Sequence, residues 1–474
     1  MPLHSERMSR VDTAWLRMDN AANLMMIVGV WLIEPAITHA ALSERVVDKL
    51  LKYDRFRCKV VQDAAGASWV PDPGFDVAHH VLRETLHRKR GQSARAALQQ
   101  RVGELAHTGL DPHRPLWQFH LIETYDGGSA LIVRVHHCIG DGIALISVML
   151  SITDGGADPP QRKRRAAAAE AGEPDWLADA VVKPLTDLAT RAAAMYGSGL
   201  AKSVEVLASP QSGLMGSLDL ARTGYRVLGD AAALALMADD SKTRLKGKPN
   251  GKKVVAWSEP LPLADVKHIG KALGCSINDV LLACVAGAIG AYLKQHGDDP
   301  TGQEIRAMVP VNLRPMEQAW KLGNRFGLAP LVLPIGIANP VERVFAVRAR
   351  MRELKGSYQP LLAFAVLSVA GLVIKPVQDA LLGLFAKKAT AVMTNVPGPP
   401  VALKLCGATL RQSMFWVPAS GDIGMGVSIL SYAGGVQFGL ITDAALCPDP
   451  QAVIDRFEPE FEKLLVLGLM LPWE

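Results

Sequence analysis

The chain has 474 residues, of which 49% are hydrophobic and 20% are charged, and its formal net charge is only +5. This length exceeds one compact core and the charge is small and dispersed, so we expect two domains and no nucleic acid partner. The six cysteines are scattered without a CxxC pair and the first residues are polar, which predicts reduced thiols, no signal peptide and a cytoplasmic location.

The first 155 residues are predicted to form an α/β domain. A continuous apolar run at 25–34 indicates a buried strand, and the residues at 43–53 have helical spacing. Strand-like runs at 117–125 and 129–137 flank an Asp-Gly-Gly turn, which predicts a β-hairpin.

Composition changes after residue 155, and residues 156–250 are predicted to form a flexible loop followed by a helical connector. The loop is rich in Gly, Pro and Ala and carries four basic residues at 162–165, and the residues at 176–240 are rich in Ala and Leu with helical spacing. The basic run is compatible with a contact to anionic lipid heads and with a solvated loop.

Residues 251–474 are predicted to form a second α/β domain. A long helix is expected at 276–297, capped by Ser276 or Asn278, and the last strand-like runs form a pair around an Ala-Gly-Gly turn at 433–435. The fold class we expect is therefore α/β (α+β), with two similar domains that each consist of a mixed sheet flanked by helices.

The longest apolar stretch, at 361–374, has 14 residues. A helix that spans a bilayer needs about 20 residues, so this stretch is predicted to begin a buried or interfacial helix pair. Together with an apolar C-terminal tail it indicates either core packing or a peripheral contact with a lipid surface.

His136 and His137 end the second strand of the predicted hairpin, and Asp141 and Gly142 follow before a helix-like run. A neutral imidazole accepts a proton at neutral pH when its other nitrogen is held in place, so this pattern is typical of a general base. Gly142 is expected to permit the turn. Asp141 is expected to pair with an arginine and fix the loop.

Three other interpretations of the two histidines remain open. They are possible metal ligands, although adjacent strand residues point to opposite faces, or a structural pair. A Ser or Cys nucleophile is the third alternative, although the chain has no GxSxG motif. A second pair, His79-His80, has no Asp-Gly behind it and is predicted to be structural.

The HHxxxDG pattern at 136–142 resembles the active-site motif of the coenzyme A-dependent acyltransferases. More closely, the whole chain is similar to the bacterial wax ester synthase/diacylglycerol acyltransferases. Further motifs of that family occur in order over nearly the full length, and the set is much more specific than HHxxxDG alone. They are SRVDTAWLRMD at 9–19, PLW at 115–117, SINDVLLA at 276–283, VPVNLRP at 309–315, TNVPGPP at 394–400 and LSYAGGVQFGLITD at 430–443.

The resemblance implies two acyltransferase-like domains with a tunnel at their interface, which takes acyl-CoA from one side and an alcohol from the other. It implies that His137 is the general base and that His136 and Asp141 support the loop. The expected reaction moves a long-chain fatty acyl group directly from acyl-CoA to a fatty alcohol or diacylglycerol, without a cofactor. The alternatives are another alcohol or amine acceptor, or a non-catalytic lipid-surface protein.

Five further residues are candidates for substrate contacts. Asn278, Thr394 and Asn395 are candidate oxyanion donors, although Asn278 is equally suited to cap a helix. Trp117 and Arg314 are candidate substrate-binding residues, Arg314 for the phosphates of coenzyme A, with core packing and an ordinary salt bridge as the alternatives. We expect no metal site, and a peripheral location on the inner face of the membrane or on lipid bodies.

Overall fold

The structure is a computed structural model that describes most of the chain. The described residues are 5–63, 66–158, 230, 233, 237–314, 318, 321–372 and 375–470. Most of the loop and helical connector predicted at 156–250 lies outside these residues. That division of the chain therefore stays a prediction.

Both halves of the described chain contain helices and strands. The helices are α1 (Arg10–Arg17), α2 (His39–Asp48), α3 (Ala94–Ala106), α4 (Gly142–Ser151), α5 (Leu263–Ala272), α6 (Ile277–Gln295), α7 (Pro340–Lys355), α8 (Gln359–Ala370), α9 (Lys375–Ala386), α10 (Pro450–Ile454) and α11 (Phe457–Met470). The strands are β1 (Glu6–Arg7), β2 (Met26–Glu34), β3 (Cys58–Asp63), β4 (Gly66–Pro71), β5 (Val81–Glu84), β6 (Trp117–Tyr125), β7 (Gly128–His136), β8 (Lys253–Trp257), β9 (Leu261–Pro262), β10 (Ile305–Asn312), β11 (Phe326–Leu333), β12 (Ala391–Pro397), β13 (Lys404–Leu405), β14 (Ala408–Trp416), β15 (Met425–Tyr432) and β16 (Gly435–Asp443).

Two mixed sheets organise the molecule. The first has the strand order β13-β14-β2-β7-β6-β5, and the second has the order β11-β10-β12-β15-β16-β8 with β9 also paired to β16. Strand β5 is parallel to β6, and β12 is parallel to both β10 and β15, while the other pairs in these sheets are antiparallel. Helices pack on both sheets, which confirms the expected fold class.

Both predicted hairpins are present, and their turns explain why. Asp126 and Gly127 have φ values of 47° and 82°, and Ala433 and Gly434 have φ values of 49° and 81°. Two successive residues with positive φ match the right-handed twist of the flanking strands and favour a tight hairpin. The first of these hairpins places the end of β7, and with it the histidine pair, at a fixed position.

The first sheet is not built from the N-terminal half alone. Strand β14 crosses from the C-terminal half and pairs with β2, from Thr409 opposite Glu34 to Trp416 opposite Val28. The indole Nε1 of Trp31 donates to Ser413 Oγ at 3.0 Å across this pair. Without the crossover, β2 would be an exposed sheet edge. The crossover therefore joins the two halves firmly.

Helix α6 is the central helix of the second domain. Ser276 and Asp279 form a capping box at its start, so Ser276 is the N-cap and Asn278 is not. Among the described helices, α6 is long and apolar enough to cross a bilayer, but 78% of its apolar window is buried in the protein. Its apolar composition is explained by core packing.

The apolar stretch at 361–374 lies mostly in α8, which packs against α1 and β11. Leu362 and Leu367 are buried there, as a helix of the protein core requires. At the following corner, however, Leu372 is 53% exposed and Val377 at the start of α9 is 50% exposed. The predicted helix pair is thus buried along α8 and apolar at its outer corner.

Candidate active site

The histidine loop lies between β7, which ends at His136, and α4, which begins at Gly142. The backbone N–H of His137 donates to the carbonyl of Met25 at 2.7 Å. At the other end of the loop, Asp141 is the N-cap of α4, and its Oδ1 accepts from the backbone N–H of Ala144 at 2.9 Å. These contacts fix both ends of the five-residue loop.

His137 lies at the wall of a cavity of about 620 Å³ that residues of both halves line. Its ring stacks on Trp15 of α1, with the ring centroids 4.2 Å apart and the planes 13° apart, and Phe326 of β11 lies 5.6 Å away on a tilted plane. Burial lowers the pKa of His137 to about 4, against the raising effect of its own backbone carbonyl. The ring is therefore neutral at pH 7, which is the form that a general base requires.

His136 faces away from this cavity and borders a second, smaller one of about 340 Å³. Its Nδ1 accepts a hydrogen bond from the backbone N–H of Cys138 at 3.1 Å, so the ring proton is carried by Nε2. That Nε2 lies 3.3 Å from a carboxylate oxygen of Asp19. The two histidines thus point apart, as predicted, and His136 is held as a part of the loop framework.

Asp141 accepts hydrogen bonds from three directions. Besides the N-terminus of α4, its Oδ2 accepts from Arg314 Nη2 at 3.0 Å and from the backbone N–H of Arg325 at 3.0 Å. Arg314 also donates to the backbone carbonyls of Lys321 and Gly323. The expected pairing of Asp141 with an arginine is confirmed, and it joins the loop to the second domain.

The substrate-binding role predicted for Arg314 needs correction. The side chain of Arg314 is 5% exposed and that of Asp141 is 6% exposed. A guanidinium this deeply buried, with donors already committed to a carboxylate and two carbonyls, cannot reach the phosphates of a coenzyme in solvent. The sequence shows the charge of Arg314 but not that its side chain is buried.

The role predicted for Gly142 also needs correction. Gly142 does not have a positive φ and is the first residue of α4. It lines the large cavity, and a Cβ added to it would meet no atom within 4 Å. The turn itself is fixed by the Asp141 cap.

A buried polar link that sequence reasoning missed holds the histidine loop from behind. Asn324 Nδ2 donates to the carbonyl of His137 at 2.7 Å and to Asp12 Oδ1 at 2.8 Å. Asp12 is fully buried and also accepts from Arg55 Nη1 at 3.2 Å, and the same Arg55 nitrogen donates to the carbonyl of Ile139 at 2.8 Å. Burial raises the pKa of Asp12, and Arg55 and Asn324 oppose that shift.

The three polar candidates Asn278, Thr394 and Asn395 all line the same cavity as His137. Asn395 Nδ2 donates to Asn278 Oδ1 at 2.9 Å, which links the start of α6 to β12. Thr394 is buried and its Oγ1 donates to the carbonyl of Val427 at 3.4 Å. The structure therefore places these residues together, although Asn278 and Asn395 are 117 positions apart in the chain.

Trp117 does not line the cavity, and its predicted substrate contact is corrected by the structure. It is fully buried in the first domain, where Nε1 donates to the carbonyl of Phe56 at 2.9 Å. His80 stacks on it with ring centroids 4.5 Å apart, and His80 Nδ1 lies 2.8 Å from the Trp117 carbonyl oxygen. This contact confirms the structural role predicted for His80 in the second histidine pair.

Comparisons with known proteins agree with this geometry. The family model of the wax ester synthase/diacylglycerol acyltransferase catalytic domain matches residues 8–281. The family model of the WS/DGAT C-terminal domain matches residues 322–465. A probable diacylglycerol O-acyltransferase of Mycobacterium tuberculosis H37Rv is 25% identical over 412 residues, which cover 86% of this chain and 83% of the relative. A second one from the same strain is 27% identical over 471 residues, which cover 96% and 97%.

Solved structures show the same fold. The wax ester synthase/diacylglycerol acyltransferase from Marinobacter aquaeolei VT8 superposes with a TM-score of 0.65 at 20% identity, over 98% of this chain and 100% of that one. The first condensation domain of the calcium-dependent antibiotic synthetase superposes with a TM-score of 0.58 at 14% identity, over 99% and 97%. Because the family model of the catalytic domain alone matches more than half of the chain, the protein belongs to the wax ester synthase/diacylglycerol acyltransferase family of acyltransferase enzymes.

Proposed function

We propose that the chain transfers a long-chain fatty acyl group from acyl-CoA to the hydroxyl of diacylglycerol or of a fatty alcohol, with His137 as the general base. The observation that carries the proposal is a neutral, buried imidazole at the wall of an apolar cavity of about 620 Å³. Lipid chains fit a cavity lined mainly by apolar side chains. The names of the curated relatives support diacylglycerol as an acceptor.

The reaction needs no covalent enzyme intermediate. His137 takes the proton of the acceptor hydroxyl, and the alcohol oxygen attacks the thioester carbonyl carbon. The tetrahedral intermediate then collapses, the carbon–sulfur bond breaks, and the imidazolium of His137 returns its proton to the leaving thiolate. The products are an ester and free CoA, and His137 ends the cycle neutral.

Among the candidate oxyanion donors, the contacts favour Asn278. Ser276 caps the helix, so Asn278 is not required as a cap. The bond from Asn395 occupies the Oδ1 of Asn278 and orients the amide, which leaves the Nδ2 hydrogens as donors toward the cavity. Thr394, in contrast, directs its hydroxyl to a strand carbonyl.

Replacing Asn278 by Ala is expected to lower kcat by about 100- to 1,000-fold with little change in KM, because a donor to the oxyanion acts in the transition state. Steady-state release of CoA thiol from palmitoyl-CoA in the presence of dioleoylglycerol measures this effect. Thr394→Val is the matched control and is expected to retain most of the activity. A normal kcat in Asn278→Ala would remove Asn278 from the mechanism.

The acceptor is tested with the purified protein. Palmitoyl-CoA is offered with dioleoylglycerol, with hexadecanol or with neither, and both thiol release and the lipid product are measured. Ester formation with either lipid supports the proposal, and the ratio of the two rates defines the preferred acceptor. No ester from either lipid, together with thiol release on another alcohol or an amine, would favour the alternative acceptor class.

We further propose that the protein works on the cytoplasmic side, in peripheral contact with a membrane or a lipid body. The corner between α8 and α9 supports this, because Leu372 and Val377 are exposed there beside Lys375, whose side chain is 51% exposed. Leu382 and Ala386 of α9 line the large cavity. Apolar substrates that collect in the lipid would thus lie close to a helix that lines the cavity.

A Leu372→Asp/Val377→Asp variant is expected to float less with anionic liposomes than the unchanged protein, because two apolar side chains no longer enter the lipid. Val401 is 67% exposed at another position and makes Val401→Asp a matched control. Equal flotation of the double variant and the unchanged protein would show that this corner does not bind the lipid surface.

A further inference from the structure

The ring of His137 is packed in an unusual way for a residue that must become charged. Trp15 covers one face of the imidazole in a nearly parallel stack, with centroids 4.2 Å apart and an interplanar angle of 13°. Phe326 lies 5.6 Å from both rings, so the three rings form one cluster. All three side chains are buried, with exposed fractions of 4 to 7%.

Protonation of His137 in this place needs a compensating interaction. The charged groups nearest the loop are committed elsewhere: Asp141 to Arg314, to Arg325 N–H and to its helix, and Asp12 to Asn324 and an arginine. The neighbouring His136 directs its Nε2 to Asp19 on the other side of the loop. Within the described residues, no salt bridge or hydrogen bond joins a carboxylate to the His137 ring. The groups that favour its charged form, its own backbone carbonyl and the Asn324 side chain, are neutral.

We propose that Trp15 stabilises the imidazolium form of His137 through its π face during the transfer. The negative face of an aromatic ring attracts a cation stacked on it, and the attraction is stronger for buried rings, as these are, than at an exposed site. The neutral imidazole gains much less from this contact. Trp15 therefore favours the charged intermediate over the ground state, and it acts on the rate through His137.

This inference rests on the proposed general-base role of His137, and the test separates the two. Tryptophan with zero, one, two or four ring fluorines is incorporated at position 15 alone, because fluorination weakens the π face while it nearly preserves the size of the ring. We expect kcat to fall stepwise with each fluorine, up to about 30-fold at the end of the series, which is the size of a strong buried cation–π contact. KM and the thermal unfolding temperature are expected to stay constant.

The pH dependence gives a second readout that a purely structural role would not move. A weaker π face makes protonation of His137 less favourable, so the acid limb of kcat/KM is expected to move to lower pH along the series.

Of the side-chain variants, Trp15→Phe keeps a π face and is expected to retain more activity than Trp15→Leu.

The outcomes are distinguishable. If kcat and the acid limb do not change along the fluorinated series while His137→Ala is inactive, the proposal about Trp15 is wrong. The general-base role of His137 is then still supported. If His137→Ala keeps full activity, the proposed function itself fails, and the inference about Trp15 fails with it.

Discussion

His137→Ala is expected to lower kcat/KM for acyl transfer by about 100- to 10,000-fold, the usual cost of losing a general base. The imidazole lies at the wall of the large cavity, and its loop is held by the backbone of Met25 and by Asn324. These holding contacts involve the backbone of His137, so the alanine variant should keep the loop in place. Thiol release from palmitoyl-CoA with either lipid acceptor measures the loss.

His79→Ala is the matched control, because His79 is an exposed histidine of the other pair and is expected to leave the rate unchanged. The pH profile of the activity tests the same assignment, because the lowered pKa predicts the direction of the pH dependence. Since burial lowers the pKa of His137 to about 4, the base form is present above that pH, and activity should be lost only as pH falls toward 4. An acid limb at the ordinary histidine value of about 6.5 would contradict the lowered pKa, and a fully active alanine variant would contradict the assignment of His137 as the general base.

The second large effect is expected at the buried ion pair between the loop and the second domain. Asp141→Asn should lower the free energy of unfolding by about 3 to 5 kcal/mol, because it removes the charge and leaves Arg314 buried without its carboxylate. The asparagine keeps the size of the side chain and an oxygen for the helix cap at Ala144. Chemical denaturation followed by tryptophan fluorescence measures the change.

An exposed pair provides the comparison. Arg7 and Asp63 are also bonded, at 2.5 Å, but their side chains are 46% and 52% exposed, so Asp63→Asn should lower the free energy of unfolding far less than Asp141→Asn does. A double-mutant cycle of Asp141→Asn with Arg314→Gln should recover part of the loss, since the second change removes the unpaired charge. Similar costs at Asp141 and Asp63 would mean that burial does not determine the strength of the pair.

Local patterns predicted the elements of the fold well. The hairpin at β6 and β7 followed from apolar runs around Asp-Gly-Gly, and the start of α6 followed from a short polar segment before a long apolar run. The paired β14 and β2 lie almost four hundred residues apart, and nothing in either segment specifies its partner. Periodicity reports the environment of a residue on its own element, whereas the crossover depends on how whole domains are arranged.

The same distinction applies to the site. His136, His137 and Asp141 were found because their spacing is local and their chemistry is specific. Trp15 and Asn324 were missed as site residues because an apolar ring and an amide in remote segments carry no catalytic signature. The only available sign for Trp15 was its place in the family-like segment at 9–19.

The strand that crosses between the halves has a consequence for biosynthesis. Trp31 and its partner Ser413 are separated by 382 positions, and at ribosomal speeds of 5 to 20 residues per second the later strand emerges roughly 20 to 80 seconds after the first. During that interval β2 lacks a neighbour on one side, which is an opening for mispairing between nascent chains. A chaperone that shields this edge would therefore raise the yield of the native enzyme, and the first 158 residues made alone should aggregate.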